Sequence, residues 1–513
     1  MTERPLAEVK HRGLMTASLM LTVVLQTLDM TIANVALPHM QGTMSATQDQ
    51  ISWVLTSYAV AMAIMTPPTS FLASRFGRKH YIIFTVIGFI LASMACGAST
   101  NLTEIVIFRV IQGMCGAALM PLTQAIMLDT YTLQERGQMM AVFGLGVMVG
   151  PIIGPTLGSY LTDVLSWRWV FYINVPIGIV SVLGMLAYLP ATKGNRKLKF
   201  DTFGFVLLSI GIATLQMVLD RGETKDWFSS TEIVTEFVVC CVAFYMFIVH
   251  LLTAKEPFIH PKLFADRNVV IGLLLIFLLG VNMLASMALL PPFLSNLKGY
   301  PVLDVGLVLA PRGAGTMMAM LVVGRLLSRI DARLLIFFGI MCLVVSLKVT
   351  SDFNLDVGMW PIMWTGVLQG FGLGFIFVTL STVTFETIGP SLRTEATSMF
   401  SLARNVGSSI GVAIVMSFLA NNMQINHAVL SENISPYNPA LQFGNVAEFW
   451  SLMDPRGVAA LEGEVMKQAG TIAFLNDFRL MMYLTLLTLP MLLFLRKSKI
   501  PRVGRPAAGQ AGH

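Results

Sequence analysis

Apolar residues in this chain come in runs about as long as a membrane crossing, and polar residues gather between them. At about 20 apolar residues per crossing, the pattern predicts helices over 13–36, 51–72, 81–99, 104–126, 138–162, 170–189, 203–219, 233–252, 269–290, 303–324, 334–350, 360–384, 399–420 and 474–495. The expected fold class is therefore an all-α polytopic membrane protein with fourteen spans. One intervening stretch is long, from 421 to about 473. Its "NISPYNPALQF" and its acidic residues Glu448, Asp454, Glu462 and Glu464 leave room for short helices outside the membrane.

Composition agrees with this pattern. Of 513 residues, 55% are hydrophobic and 12% charged, far from a soluble globular protein. The first run is as long as a span and lacks a small-residue cleavage site, so it is expected to stay as the first helix. The net charge of +6 does not point to nucleic acid, because the basic residues fall in short clusters between apolar runs. The clearest clusters are Arg75, Arg78 and Lys79; Lys193 to Lys199; Arg325, Arg329 and Arg333; and Arg496 to Lys499. With alternate loops assigned to the two sides, most of the 34 Lys and Arg lie on the amino-terminal side, which places both termini in the cytoplasm. Cys96, Cys115, Cys240, Cys241 and Cys342 all lie inside apolar runs, so neither disulfides nor a thiolate metal site is expected. No cofactor is implied. The chain also lacks the GxxxxGK[ST] and HExxH patterns and has no GxSxG nucleophile elbow, since its GSSIG lies inside an apolar span rather than at a strand-to-helix turn, which argues against ATP drive and against an intramembrane hydrolase.

A repeat divides the chain. "SFLASRFGRK" at Ser70 matches "GRLLSRIDAR" at Gly324, "RVIQGMCGA" with Gln112 matches "GVLQGFGLG" with Gln369, and Gly150 matches Gly407, all at nearly one separation. The expected division is an N-terminal six-helix bundle over 1–190, two inserted helices over 191–262, and a C-terminal six-helix bundle over 263–513. Duplicated bundles with a binding site between them are a common transporter design.

Asp29, in "LDMTIANVALP", is the first candidate for chemistry. A carboxylate deep in a span costs roughly 2.5–3.5 kcal/mol to insert. Thr22, Gln26 and Asp29 share one helical face, and Arg109, Gln112 and Gly116 form a similar stripe in the fourth span. Counted at 1.5 Å per residue, Asp29 and Arg109 both sit roughly 10–12 Å below the outer surface. The expectation is that they pair, either as a proton-coupling switch or as a fixed structural ion pair. Gly146, Gly150, Gly154 and Gly158 recur every fourth residue in the fifth span, with Pro151 and Pro155 beside them, which permits close packing and bending. Asn34, Asn282, Arg312, Gln369, Arg404 and Asn405 join Gln26 and Gln112 as candidates to line a cavity. Lys348, Glu386 and Asp477 read as interfacial.

These residues resemble the major facilitator superfamily, and within it the fourteen-helix drug:proton antiporters of the EmrB/QacA type. "LDMTIANVALP" resembles the helix-one signature of that branch, "SFLASRFGRK" the helix 2–3 loop motif, "RVIQGMCGAA" the helix-four motif and "GVMVGPIIGPTLGSYL" the helix-five antiporter motif. "WRWVFYINVPIG" is similar to a segment of the fourteen-helix branch, and "HAVLSENISPYNP" to the EmrB subgroup. The resemblance implies the major facilitator fold in a bacterial inner membrane and export of lipophilic toxic compounds in exchange for protons. It also implies a periplasmic adaptor protein (EmrA-like) and an outer-membrane channel (TolC-like) as partners. Asp29 and Arg109 would couple protons, the helix-five glycines and prolines would form a bendable seam between rocking halves, and Arg75, Gly77, Arg78 and Lys79 would form a cytoplasmic gate loop. Ser70 and Ser74 stand where the loop motif usually has Gly and Asp, so a gating ion pair made by that Asp is not expected, and Ser159 replaces the last glycine of the helix-five motif. A metabolite or fatty-acid carrier on the same fold, or a membrane sensor without transport, remain as alternatives.

Overall fold

The computed structural model describes residues 11–496 apart from 436, 439–440, 442–449, 451 and 453. Glu448, part of "NISPYNPALQF" and residues 497–499 of the last basic cluster lie outside the described residues. Among those described, thirteen helices are long and apolar enough to cross a membrane, or fourteen when one bent pair counts as a span. They are α1 (Arg12–Met44), α2 (Gln48–Met65 and Thr69–Phe76), α3 (Arg78–Ala98), α4 (Leu102–Thr130), α5 (Arg136–Val164), α6 (Trp169–Tyr188) and α7 (Thr202–Arg221). There follow α8 (Thr231–Thr253), α9 (Arg267–Pro292), α10 (Val302–Leu326), α11 (Ala332–Thr350), α12 (Met359–Glu386), α13 (Arg393–Glu432) and α14 (Pro455–Leu486). The molecule is all-α, with α1–α6 and α9–α14 as two six-helix bundles and α7 and α8 inserted between them.

Local sequence explains where helices start and break. Thr47 and Gln50 form a reciprocal capping box at the start of α2, and Asn101, Asp266, Asp331 and Asp454 cap α4, α9, α11 and α14 with side-chain oxygens. The span expected over 51–72 is not continuous. It bends by 60° between Met65 and Thr69, where Pro67 and Pro68 cannot donate the next helical hydrogen bonds. The inserted pair is tied at both ends: Asp201 receives the Gly204 amide and the His250 ring of α8, each at 2.9 Å, and Asp220 receives the hydroxyl of Thr56 on α2.

The helix-five glycines do not lie between the halves. They face α1, in the same bundle: a Cβ on Gly150 would sit 2.3 Å from the Thr27 carbonyl carbon, one on Gly154 would strike the Thr31 hydroxyl, and those on Gly146 and Gly158 would meet Met20 and Ile32. The expected seam is thus corrected, because the small face is used to bring the backbone of α1 close enough to fix its polar stripe. Despite Pro151 and Pro155, α5 stays helical throughout, and the Thr31 hydroxyl donates to the Gly150 carbonyl at 3.0 Å. The other face of α5 meets the second half, where a Cβ on Gly144 would press on Met320 and one on Gly313 on Ile152.

The far side also differs from expectation. The stretch from 421 to about 473 is mostly helical, because α13 continues to Glu432 and α14 begins at Pro455. His427 and Glu462 meet at 2.7 Å between the two extensions, and Asn476 donates to Asn422 at 3.3 Å. Polar residues such as Asn421, Asn422, Gln424 and Asn426 end the apolar run without ending the helix.

Candidate functional site

Asp29 and Arg109 are both wholly buried, and they pair. Arg109 Nη1 donates to Asp29 Oδ2 at 2.8 Å, while Gln112 Nε2 and Asn174 Nδ2 each donate to Oδ1 at 2.8 Å. Arg109 Nη1 also reaches Gln112 Oε1 at 3.0 Å, and its Nε donates to the Val54 carbonyl at 2.9 Å. The guanidinium lies over the Tyr58 ring at 4.2 Å and the Phe171 ring at 5.6 Å. Asn174 is held in turn by Ser93 Oγ at 3.0 Å, and Ser93 donates to the Phe171 carbonyl at 2.9 Å. One negative and one positive charge, each hydrogen-bonded and the positive one also over aromatic rings, meet the condition under which a buried ion pair is tolerated. Five helices converge here.

Small residues permit that convergence. A Cβ on Gly113 would lie 2.4 Å from the Tyr58 carbonyl oxygen, so α4 and α2 touch backbone to backbone and Arg109 reaches Val54. The helix-five glycines perform the same service for α1. Two polar atoms at the centre, Arg109 Nη2 and Asn174 Oδ1, are buried without a hydrogen-bond partner among the described residues. The cluster therefore has unused donor and acceptor capacity beside its ion pair.

The remaining candidates spread out. Gln26 hydrogen-bonds inside its own bundle, accepting from the Met120 amide at 3.0 Å and donating to Met62 Sδ at 3.2 Å. Asn34 is exposed, one turn beyond Asp29. Asn282 braces α9 to α14 by accepting from the Thr485 hydroxyl at 3.0 Å, which again is packing within a bundle. Arg312 is buried and donates to the Ser286 hydroxyl at 2.8 Å and the Met283 carbonyl at 3.4 Å. Gln369 lines a small cavity of about 10 Å³ with Ser286, Thr350, Thr365 and Gly366. Arg404 crosses between halves to Met120 Sδ at 3.1 Å and touches the half-buried Asn405 at 3.4 Å.

On the face that carries residues 12 and 496, a second charged group joins the halves. Asp129, at the end of α4, binds both Arg78 of its own half and Arg393 of the other. Arg78 also donates to the Pro390 carbonyl at 3.3 Å. An ion pair at this loop thus exists although Ser74 replaces the usual Asp, since the acid comes from α4 instead. Gly77 has φ +86°, and a Cβ there would strike the Thr192 carbonyl oxygen at 2.3 Å, so only glycine lets the segment after α6 cross the loop. Thr192 Oγ1 accepts from the Arg78 amide at 2.8 Å, Lys79 binds the Leu186 carbonyl at 2.9 Å, and Arg75 the Leu198 carbonyl at 3.3 Å.

Asn174, Asp129 and Arg393 are therefore important residues that sequence patterns did not single out. Asn174 sits in "WRWVFYINVPIG" as the only uncharged amide of that segment, a signal available in principle. Asp477 is a different kind of correction. It is wholly buried inside the protein rather than exposed at the surface.

Comparison with known proteins agrees with this architecture. The Major Facilitator Superfamily profile matches residues 19–412. The chain is 37% identical over 434 residues to "Multidrug export protein EmrB" of Escherichia coli (strain K12), covering 84% of each chain. It is 34% identical over 427 residues to "Fatty acid resistance protein FarB" of Neisseria gonorrhoeae, covering 83% of this chain and 84% of that one. Among solved structures, the human organic anion transporter MFSD10 superposes with a TM-score of 0.57 at 15% identity, over 92% of this chain and 99% of that one. The proton:xylose symporter XylE gives 0.56 at 11% identity, over 92% and 96%. At such identities the two structures speak for the fold alone, while the profile and the sequence relatives show that the chain belongs to the major facilitator superfamily.

Proposed function

We propose that the chain exports lipophilic toxic compounds in exchange for protons. The observation that carries this reading is the Asp29–Arg109 pair, a titratable group enclosed by five helices of one half. Protonation of Asp29 removes the negative partner and leaves Arg109 with a buried charge, so the proton favours a different packing of α1 against α4. The Asp129 bridge closes the termini face, and its opening gives access from the other compartment. The multidrug export proteins among the relatives support drug-like substrates. Fatty acids belong among the first compounds to try, since FarB is named for resistance to them and Arg312 offers a buried cation with a hydroxyl as its side-chain partner.

In this reading the units are the bundles 1–190 and 263–513 with the inserted pair 191–262, both termini are cytoplasmic, and the membrane is a bacterial inner membrane. The chain is the inner-membrane part of a tripartite pump, with an EmrA-like adaptor and a TolC-like channel as partners. One charge crossing 100 mV supplies about 2.3 kcal/mol, enough to drive such an exchange. The test is accumulation of ethidium and of a weakly acidic uncoupler in energised inside-out vesicles. Uptake that collapses with the pH gradient, and is lost in Asp29→Asn, supports the reading. Uptake that survives either treatment overturns it.

A further inference from the structure

The repeat that pairs Gln112 with Gln369 also aligns the centre of the N-terminal site with the C-terminal half. Ser286 stands as far after Asp29, and Gly366 as far after Arg109, as Gln369 stands after Gln112. All three C-terminal residues line the same small cavity. The second half thus has no acid on its first helix and no arginine on its fourth at these positions, and the cavity lies there instead. It has a buried arginine elsewhere, Arg312 of α10, which reaches Ser286 at 2.8 Å. It also has a buried acid, Asp477 of α14.

Asp477 is wholly buried, and neither carboxyl oxygen has a hydrogen-bond partner among the described residues. Its neighbour in sequence, Phe478, lines the cavity, and the aromatic core around it includes Phe474 packed on Phe293 at 5.8 Å. Charges on the surrounding elements are occupied elsewhere or distant along the chain. Within α14, Arg479 is half exposed and lies 3.9 Å from Asp352, which Lys348 at the end of α11 binds at 2.8 Å. Lys298, after α9, donates to the carbonyls of Leu355 and Val357. Between Arg267 and Lys298, α9 has no ionisable side chain, and between Arg404 and His427, α13 has none; His427 is bound to Glu462. An ionised carboxylate enclosed without a partner costs far more than a neutral acid.

We propose that Asp477 is a second proton-binding group, which holds its proton while α14 is packed as seen here and releases it to water when α14 moves. The inference rests on the exchange reading above. In chemical terms only an O–H bond changes: the acid gives a proton to water that reaches it from the neighbouring cavity, and the carboxylate regains one from the opposite compartment. The cavity is of the size for one water, and its hydroxyls on Ser286, Thr350 and Thr365 can bind it. Each half would then carry one proton-binding acid, on its first helix in one half and on its sixth in the other.

Two measurements on the full chain test the inference. The first is an infrared difference spectrum, wild type minus Asp477→Asn, on detergent-solubilised protein at neutral pH. The expected result is a carbonyl band of a protonated carboxylic acid that is absent from the variant and shifts in heavy water; carboxylate bands instead would overturn the proposal. This measurement does not need transport. The second is ethidium accumulation in vesicles against imposed pH gradients. Loss of one coupled proton lowers the dye ratio supported by one pH unit about tenfold, and Asp477→Asn and Asp477→Leu should both show this while melting at the wild-type temperature. An unchanged ratio in both variants, with Asp29→Asn inactive, overturns the role of Asp477 and leaves the exchange reading intact. Wild-type vesicles indifferent to the pH gradient overturn the exchange reading itself, while the infrared band still decides whether Asp477 carries a proton.

Discussion

The two halves of this protein solve the problem of buried charge in opposite ways. In the N-terminal half, Asp29 and Arg109 lie 2.8 Å apart, with Gln112 and Asn174 completing the carboxylate's bonds. In the C-terminal half, Arg312 is bound to a hydroxyl and a carbonyl, and Asp477 has no hydrogen-bond partner among the described residues. A paired charge fixes helices to one another, and removing either partner strands the other. An unpaired one is costly where it stands and gains by moving. The comparison therefore assigns rigidity to the first bundle's centre while Asp29 is ionised, and latent motion to the second's.

The most damaging way to test that contrast is Arg109→Leu, which leaves Asp29 charged and enclosed. It should destabilise the protein by about 3–5 kcal/mol, read as a large drop in melting temperature in detergent, with partial recovery in the Asp29→Asn/Arg109→Leu double variant. A single variant as stable as wild type would mean the pair is not what holds the five helices. Next comes the bridge between halves. Arg393→Ala removes a charge-assisted hydrogen bond worth about 1.5–3 kcal/mol, so the closed arrangement of the termini face should lose about 10- to 150-fold in population. Spin-label distances between Phe76 and Ser391, each replaced by cysteine, should lengthen. Asn174→Ala deletes one charge-assisted bond to Asp29 and should cost about 1.5 kcal/mol, the low end of the range because Arg109 and Gln112 still bind the carboxylate, visible as a small melting shift that disappears in an Asp29→Asn background. Smallest of all should be Arg312→Leu, whose loss uncovers no carboxylate. Its stability should stay within about 1 kcal/mol of wild type, and a loss as large as that of Arg109→Leu would erase the contrast between the halves.

How much of this was legible in the residues depends on what each pattern encodes. Depth along a helix is a matter of counting, so the meeting of Asp29 with Arg109 could be read from their positions relative to the helix ends. Spacing also exposes a small face on α5, but says nothing about which neighbour it meets, and α1 rather than the other half turned out to lie there. Asp477 shows the same limit. Its place near the end of an apolar run suggested the interface, while its rotation into the bundle depends on how α14 packs. The far ends of α13 and α14 escaped because hydropathy marks where lipid contact stops, and a polar helix goes on without it. Asp129 and Arg393 are separated by most of the chain, and only the folded arrangement brings them together.

One element spans all these levels. α13 is a continuous helix of 40 residues from Arg393 to Glu432, about 60 Å long at 1.5 Å per residue. It holds the Asp129 bridge at one end, touches Met120 through Arg404 partway along, and meets α14 through His427 at the other end. A rod of that length magnifies rotation: a tilt of about 5° pivoting on Arg393 displaces the far tip by about 5 Å. Whatever sits beyond the membrane on that tip is thereby given a pointer, and its position reports whether the bridge on the opposite face is fastened.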